Sequence, residues 1–80
     1  EMRAIVTDAR AHGLVVELPD ADTIGLIPFQ SLPGGPYTFD SARSQFVNRS
    51  SRRAFKVGDD LKVTVSRVDA ARRMIDFATV

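Results

Sequence analysis

The eighty residues predict an all-β domain: a small five-stranded antiparallel barrel with a long excursion between its third and fourth strands. Three observations carry the prediction. Runs of β-branched and other apolar residues, alternating with polar ones, occupy both ends of the chain. Short turns bearing Gly, Pro, Asp or Ala-Arg separate them, and no stretch has a convincing helical repeat. The third and fourth runs are nearly thirty residues apart, whereas structureless loops beyond about 12–15 residues are uncommon in compact domains.

The elements follow in order. "MRAIVTDA" (2–9) reads as the first strand. "GLVVEL" (13–18) follows, with Leu14, Val16 and Leu18 on one face and Val15 and Glu17 on the other. Gly13 opens this strand, where a missing side chain permits the sharp bend of a small barrel. "PDAD" (19–22) fits a hairpin loop leading into "DTIGLIP" (22–28). Pro28 has no N–H, so the third strand is expected to be unpaired on that side there. Phe29 can be an exposed stacking surface or a core residue; a barrel end needs a plug, and Phe29 is expected to supply it. "FQSL" (29–32) is at most one helical turn. Far along the chain, "DLKVTVSRVD" (60–69) alternates strictly, with Leu61, Val63 and Val65 on the face of Arg67. "AARR" (70–73) is a turn, and the last run sets Ile75 and Phe77 against Met74, Asp76 and Ala78. Arg67 is expected at a barrel edge.

Residues 33–58 form the excursion. "PGGP" (33–36) is a rigid turn, and "YTFD" and "FVNR" read as fragments of strand. Tyr37, Phe39, Phe46 and Phe55 make this segment too aromatic for a free linker, because disordered segments lack the apolar groups that offset ordering entropy. A hairpin-like excursion packed on the barrel is therefore expected. The charge is concentrated here as well. Residues 1–42 carry two basic side chains against six acidic, a net of −4; residues 43–56 carry five basic and no acidic, +5; residues 57–80 balance four against four. One short segment thus holds the positive field.

Composition narrows the chemistry. The chain has no cysteine and one histidine, which excludes disulfides and argues against a zinc site. No apolar run approaches the ~20 residues of a membrane span, and no membrane partner is expected. The chain opens on Glu1 and Met2 directly before an apolar stretch and stops at "FATV", so it reads as a piece of a longer chain without a signal peptide. A cytoplasmic location is expected. "GDD" (58–60) could suggest a metal pair, but Asp59 and Asp60 more simply start the fourth strand. A single histidine supports no Ser-His-Asp arrangement, and no Gly-rich loop precedes a helix. No catalytic residue and no cofactor is assigned to this chain.

Taken together, "AIVTDARAHGLVVELPDADTIGLIPFQSL" and "LKVTVSRVDAARRMIDF" resemble the RNA-binding domain named after the first protein of the small ribosomal subunit, the S-one domain. The resemblance implies an OB-fold barrel over 1–80, with 33–58 inserted. The middle is similar to the insertion in the S-one domain of the RNase II and RNase R family, through Tyr37, Phe39, Asp40, Phe46, Ser50, Ser51, Arg53, Phe55, Lys56, Gly58 and Asp59. That family implies a longer chain, a magnesium-dependent 3′-to-5′ exoribonuclease whose metal lies in a separate catalytic domain. Catalytic and cold-shock-like domains of that chain would be partners, with single-stranded RNA. The family pattern presents an aromatic before the Gly of the second strand, a second aromatic two residues after it, and often His in the third strand; His12, Val15 and Pro28 stand there. The Asp and Arg of the last hairpin are kept, as Asp69 and Arg73. Expected RNA-binding residues are His12, which can stack, Arg72 and Arg73, which can grip phosphate, and Arg49, Arg52, Arg53 and Lys56 of the basic segment. The competing expectation is a structural or protein-contact module whose basic segment is a solvated loop pinned to the barrel by Phe46 and Phe55.

Overall fold

In the computed structural model the residues described are 1–80 except Pro33, Gly35, Arg49, Arg72 and Val80. Alternation builds the barrel. β1 (Met2–Arg10), β2 (Gly13–Leu18) and β3 (Thr23–Pro28) form an antiparallel meander. β7 (Asp60–Asp69) and β8 (Met74–Thr79) form the closing hairpin, after the inserted strands β4 to β6. The five barrel strands run in the closed order β1-β2-β3-β8-β7. Ala4, Val6, Leu14, Val16, Leu18, Ile27, Val63 and Phe77 point inward and are almost fully buried.

The expected all-β barrel with its inserted excursion is what forms, with one pairing of a different sense. β8 meets β3 in parallel, at Leu26–Asp76, so the barrel is mixed and not antiparallel throughout. Gly25 permits this closure. A Cβ there would lie 2.2 Å from the Phe77 ring and 2.7 Å from the Ile75 carbonyl oxygen. The largest side chain of β8 therefore packs directly over the β3 backbone, which only glycine allows.

Pro28 ends β3 as its chemistry requires. The Phe29 N–H donates to the His12 carbonyl at 3.1 Å. By the alternation of an antiparallel ladder, Pro28 then turns its nitrogen away from β2. It faces the side on which β8 pairs with β3 at Leu26, beyond that pair.

The excursion is a second sheet. β4 (Thr38–Asp40), β5 (Gln45–Val47) and β6 (Ala54–Lys56) pair antiparallel in the order β4-β5-β6, so a hairpin is extended by a third strand. Its middle row, Phe39–Phe46–Phe55, faces the barrel. Phe46 and Phe55 are almost fully buried and belong to the same core as Ala4 and Val6, with Tyr37 and Phe39 packed against it. The chain returns along a bulge in β1, where Thr7 is the extra residue between Val6 and Asp8. There the Val6 N–H donates to the Asp59 carbonyl at 2.9 Å, and the Gly58 N–H to the Val6 carbonyl at 2.8 Å.

The plug expected of Phe29 is supplied by other rings. After Pro28 the chain enters a single 3₁₀ turn, Phe29–Ser31. The turn breaks the strand alternation that would have carried Phe29 inward. Phe46 takes the buried position, and Phe29 remains 42% exposed. Its ring lies parallel to that of Phe46, at 5° and 6.4 Å between centroids.

Candidate nucleic-acid interface

The outer face of the barrel is built by the residues that alternate with the core. Val15 pairs with Leu26, Leu26 with Asp76, and Asp76 with Arg67, so one row crosses four strands. Flanking positions on this face are Glu17, Ile24, Pro28 and Met74. None is aromatic. A bulge in β7 between Val65 and Arg67 brings Arg67 out into solvent. There it lines a small dent of about 150 Å³ with Leu26, Asp69, Met74 and Asp76. Arg67 thus stands exposed on the outer face of the closed barrel. The face itself offers aliphatic contact and a few charges, but no platform for stacking bases.

The two ends of the face carry the predicted residues. Because β8 runs parallel to β3 through Leu26–Asp76, the β7–β8 turn lies toward the Thr23 end of β3. His12, opposite Phe29, lies at the Pro28 end. His12 and Arg73 are therefore not brought together; they bracket the face from opposite ends, about 17–20 Å apart for a strand of this length. Both are exposed. Arg73 has φ 55° and donates its N–H to the Ala70 carbonyl at 3.3 Å, a left-handed conformation unusual for a residue with a Cβ. Arg72 lies outside the described residues.

The basic segment is a shaped loop between β5 and β6. Its organiser is Asn48, the one buried polar residue among those described. The Asn48 side-chain oxygen accepts from the N–H groups of Ser50 at 3.0 Å and Ser51 at 3.2 Å. Its amide nitrogen donates to the Gly34 carbonyl, and its backbone N–H donates to the Arg53 carbonyl at 2.7 Å. Sequence reasoning missed Asn48. The signal was present in "NRSS", since an Asn side chain commonly bonds backbone two residues on. The bonds turn the chain so that Arg52 takes a left-handed backbone, φ 58°. The Arg53 guanidinium lies over the Phe55 ring, 5.2 Å from its centroid, a cation–π contact. Arg49 lies outside the described residues.

Lys56 is differently placed. Its ammonium pairs with Asp59 at 3.3 Å, and its N–H donates to the same carboxylate at 3.0 Å. Arg3 pairs with Asp60 at 2.8 Å, and that hydrogen bond raises the guanidinium pKa above its usual value. Arg10 pairs with Asp8 at 2.8 Å. The hydrogen bond from Arg10, with another from the Ala9 N–H, holds the Asp8 carboxyl below its ordinary range. Exposed pairs of this kind contribute little to stability, but they neutralise their cations. Among the described residues, Arg43, Arg52, Arg53, Lys62, Arg67 and Arg73 have no acidic partner within ion-pair distance.

The "GDD" carboxylates do not fit a metal. Asp59 is held by Lys56 and Asp60 by Arg3, and no cluster of three metal-ligating side chains occurs among the described residues. Nor, among these residues, is any helix long and apolar enough to cross a membrane.

A closed five-stranded barrel with an open outer face and loops at both ends of it places the molecule among the OB-type barrels. Comparison with known proteins makes the assignment specific. The family model of the S1 RNA binding domain matches residues 1–79, and the chain belongs to that family. It is homologous to the C-terminal region of Ribonuclease R, in the RNase II/R family. Ribonuclease R of Thermotoga maritima is 34% identical over 76 residues, 95% of this chain and 11% of that protein. The acetazolamide conferring resistance protein zam of Synechocystis is 32% identical over 78 residues, 98% of this chain and 10% of that protein. The chain thus spans about a tenth of the length of the curated relatives it matches. Among solved structures, RNase R of Mycoplasma genitalium superposes with a TM-score of 0.93 at 16% identity, over 99% of this chain and 12% of that one. The same holds for the structure of that enzyme in complex with ribose methylated single-stranded RNA.

Proposed function

We propose that this domain binds single-stranded RNA without sequence preference and delivers it to the catalytic domain of a longer chain, a 3′-to-5′ exoribonuclease of the RNase II/R type. The observation that carries the reading is the distribution of free positive charge. Arg3, Arg10 and Lys56 are each held by an acid. Arg52 and Arg53 at the inserted loop and Arg67 and Arg73 at the β7–β8 end are not, and neither are Arg43 and Lys62. Cations that keep no protein partner are available to phosphate, and each phosphate contact releases counterions. The scarcity of aromatics on the face makes this affinity mainly electrostatic. In this reading residues 1–80 are one OB domain with 33–58 inserted, working in the cytoplasm. Its partners are RNA and the catalytic and cold-shock-like domains of the same chain; magnesium belongs to that catalytic domain, and this domain binds RNA but does not cleave it.

A specific observation favours a second reading, protein contact. Ile24 is 68% exposed and Met74 39% exposed on the outer face, next to half-buried Leu26. One titration separates the two. Oligo-U binding is measured at several salt concentrations for the parent, for Arg52→Gln with Arg53→Gln, and for Ile24→Ser. The RNA reading expects the arginine variant to bind more weakly and to lose about 0.7 from the log–log salt slope per lost phosphate contact, with Ile24→Ser nearly unchanged. Parent-like RNA binding by the arginine variant would make the protein-contact reading the better one.

A further inference from the structure

We infer that Phe29, mounted on Phe46 and placed beside His12, is a base-stacking surface of this domain, displaced from the sheet face to the 3₁₀ turn at its edge. The inference rests on the RNA-binding reading above and names where bases would be held. Among the described residues, the large apolar side chains left exposed are Ile24, Phe29, Val57, Val65, Val68 and Met74. Phe29 alone of these has a flat π face, the surface on which any base can stack.

The ring is also held in place, as a platform must be. Pro28 precedes it with φ −58°. The Phe29 N–H is tied to the His12 carbonyl at 3.1 Å, and the Phe29 carbonyl accepts from the Leu32 N–H at 3.2 Å. Beneath it, Phe46 is 1% exposed and parallel to within 5°. One face of Phe29 is thus occupied by a buried ring, and the ordering cost has been met before any ligand arrives.

The neighbours suit a nucleotide. The Phe29 N–H bonds the His12 carbonyl and His12 is exposed, so the two residues adjoin at the backbone at the Pro28 end of the face. On the other side Phe46 pairs with Phe55 across the inserted sheet, and Arg53 lies over Phe55 at 5.2 Å. A stacking ring and a free guanidinium are therefore joined through two buried rings, which is the combination a single strand needs for base and phosphate. A ring serving only as a lid on Phe46 would require no such neighbours.

The chain contains no tryptophan, so Phe29→Trp introduces a single reporter at this position. With oligo-U at low salt, its fluorescence is expected to be quenched in step with binding, followed independently by anisotropy of a labelled RNA. An abasic oligonucleotide of equal length should bind through its phosphates with little quenching. Phe29→Leu keeps an apolar cover over Phe46 but removes the π face; it should melt near the parent and bind oligo-U about tenfold more weakly, within the range expected for one stacked base. Unchanged affinity in Phe29→Leu, or binding of oligo-U without quenching in Phe29→Trp, would overturn the inference while leaving the RNA reading in place. Absence of oligo-U binding by the parent itself would overturn both.

Discussion

The barrel and the inserted sheet hold their shape by different means. β7 has ten residues and β1 nine, and each barrel strand has a neighbour on both sides. The strands of the insert have three residues each, and β4 and β6 are paired on one side. Inside the barrel the side chains are mainly aliphatic around Phe77, whereas the insert turns a row of phenylalanines toward the barrel. Three-residue strands make too few backbone bonds to stand alone. The insert is ordered because its rings are buried against another element, and only then does Asn48 shape the arginine loop. The barrel is thus the scaffold, and the insert is a charged attachment whose order depends on it.

Removing Phe46 tests that dependence most severely. Phe46→Ala should cost about 3–5 kcal/mol, as for a buried ring truncated to a methyl, read from urea or thermal unfolding. In amide exchange, β4, β5 and β6 should lose protection before the barrel strands do. If all eight strands lose protection together, the two regions are one cooperative unit and the contrast fails.

Gly25→Ala strikes the other region. The added methyl would stand 2.2 Å from the Phe77 ring, and overpacking of this kind costs about 1–3 kcal/mol. Exchange should rise around β3 and β8, where the barrel closes, and β4 to β6 should lose protection with them, because the insert is ordered only against the barrel. An insert that kept its protection while the barrel strands lost theirs would show that it does not depend on the barrel.

Asn48→Ala sharpens the comparison within the insert. It leaves the Ser50 and Ser51 N–H groups without their acceptor, at about 1–2 kcal/mol. The melting temperature should fall by about 4–8 °C per kcal/mol lost, the shift usual for a domain of this size. The amides of residues 50–53 should exchange faster, and RNA affinity should fall with them. Normal affinity with an unprotected loop would show that the arginines act as a loose tether and need no fixed arrangement.

Several features were legible before the structure. The ends of β2, β3 and β7 agree with the alternation to within a residue, and the aromatic content of 33–58 correctly implied packing. His12 and Arg73 are exposed at the two ends of the face, as the turns around them suggested. Less legible were the third strand of the insert and the pairing of Lys56 with Asp59. Both depend on where the returning chain docks against β1, and nothing in "RRAFKVGDD" reports that. Asn48 was readable in principle, but its burial under the loop depends on Gly34, far away in sequence.

The sequence by itself determined which residues face in and which face out along β2 and β3, since alternation is a property of the chain taken two residues at a time; in β1 and β7 the bulges after Val6 and Val65 shift that alternation. It determined as well that the positive charge lies in one segment. The tertiary structure decided the parallel meeting of β3 with β8, the exposure of Phe29, and which cations keep an acidic partner. Each of these is settled by competition: rings compete for one buried position, and carboxylates at the end of the insert take some cations and leave others free. Period and propensity are local, whereas the outcome of such a competition exists only when all the competitors have been brought to the same place.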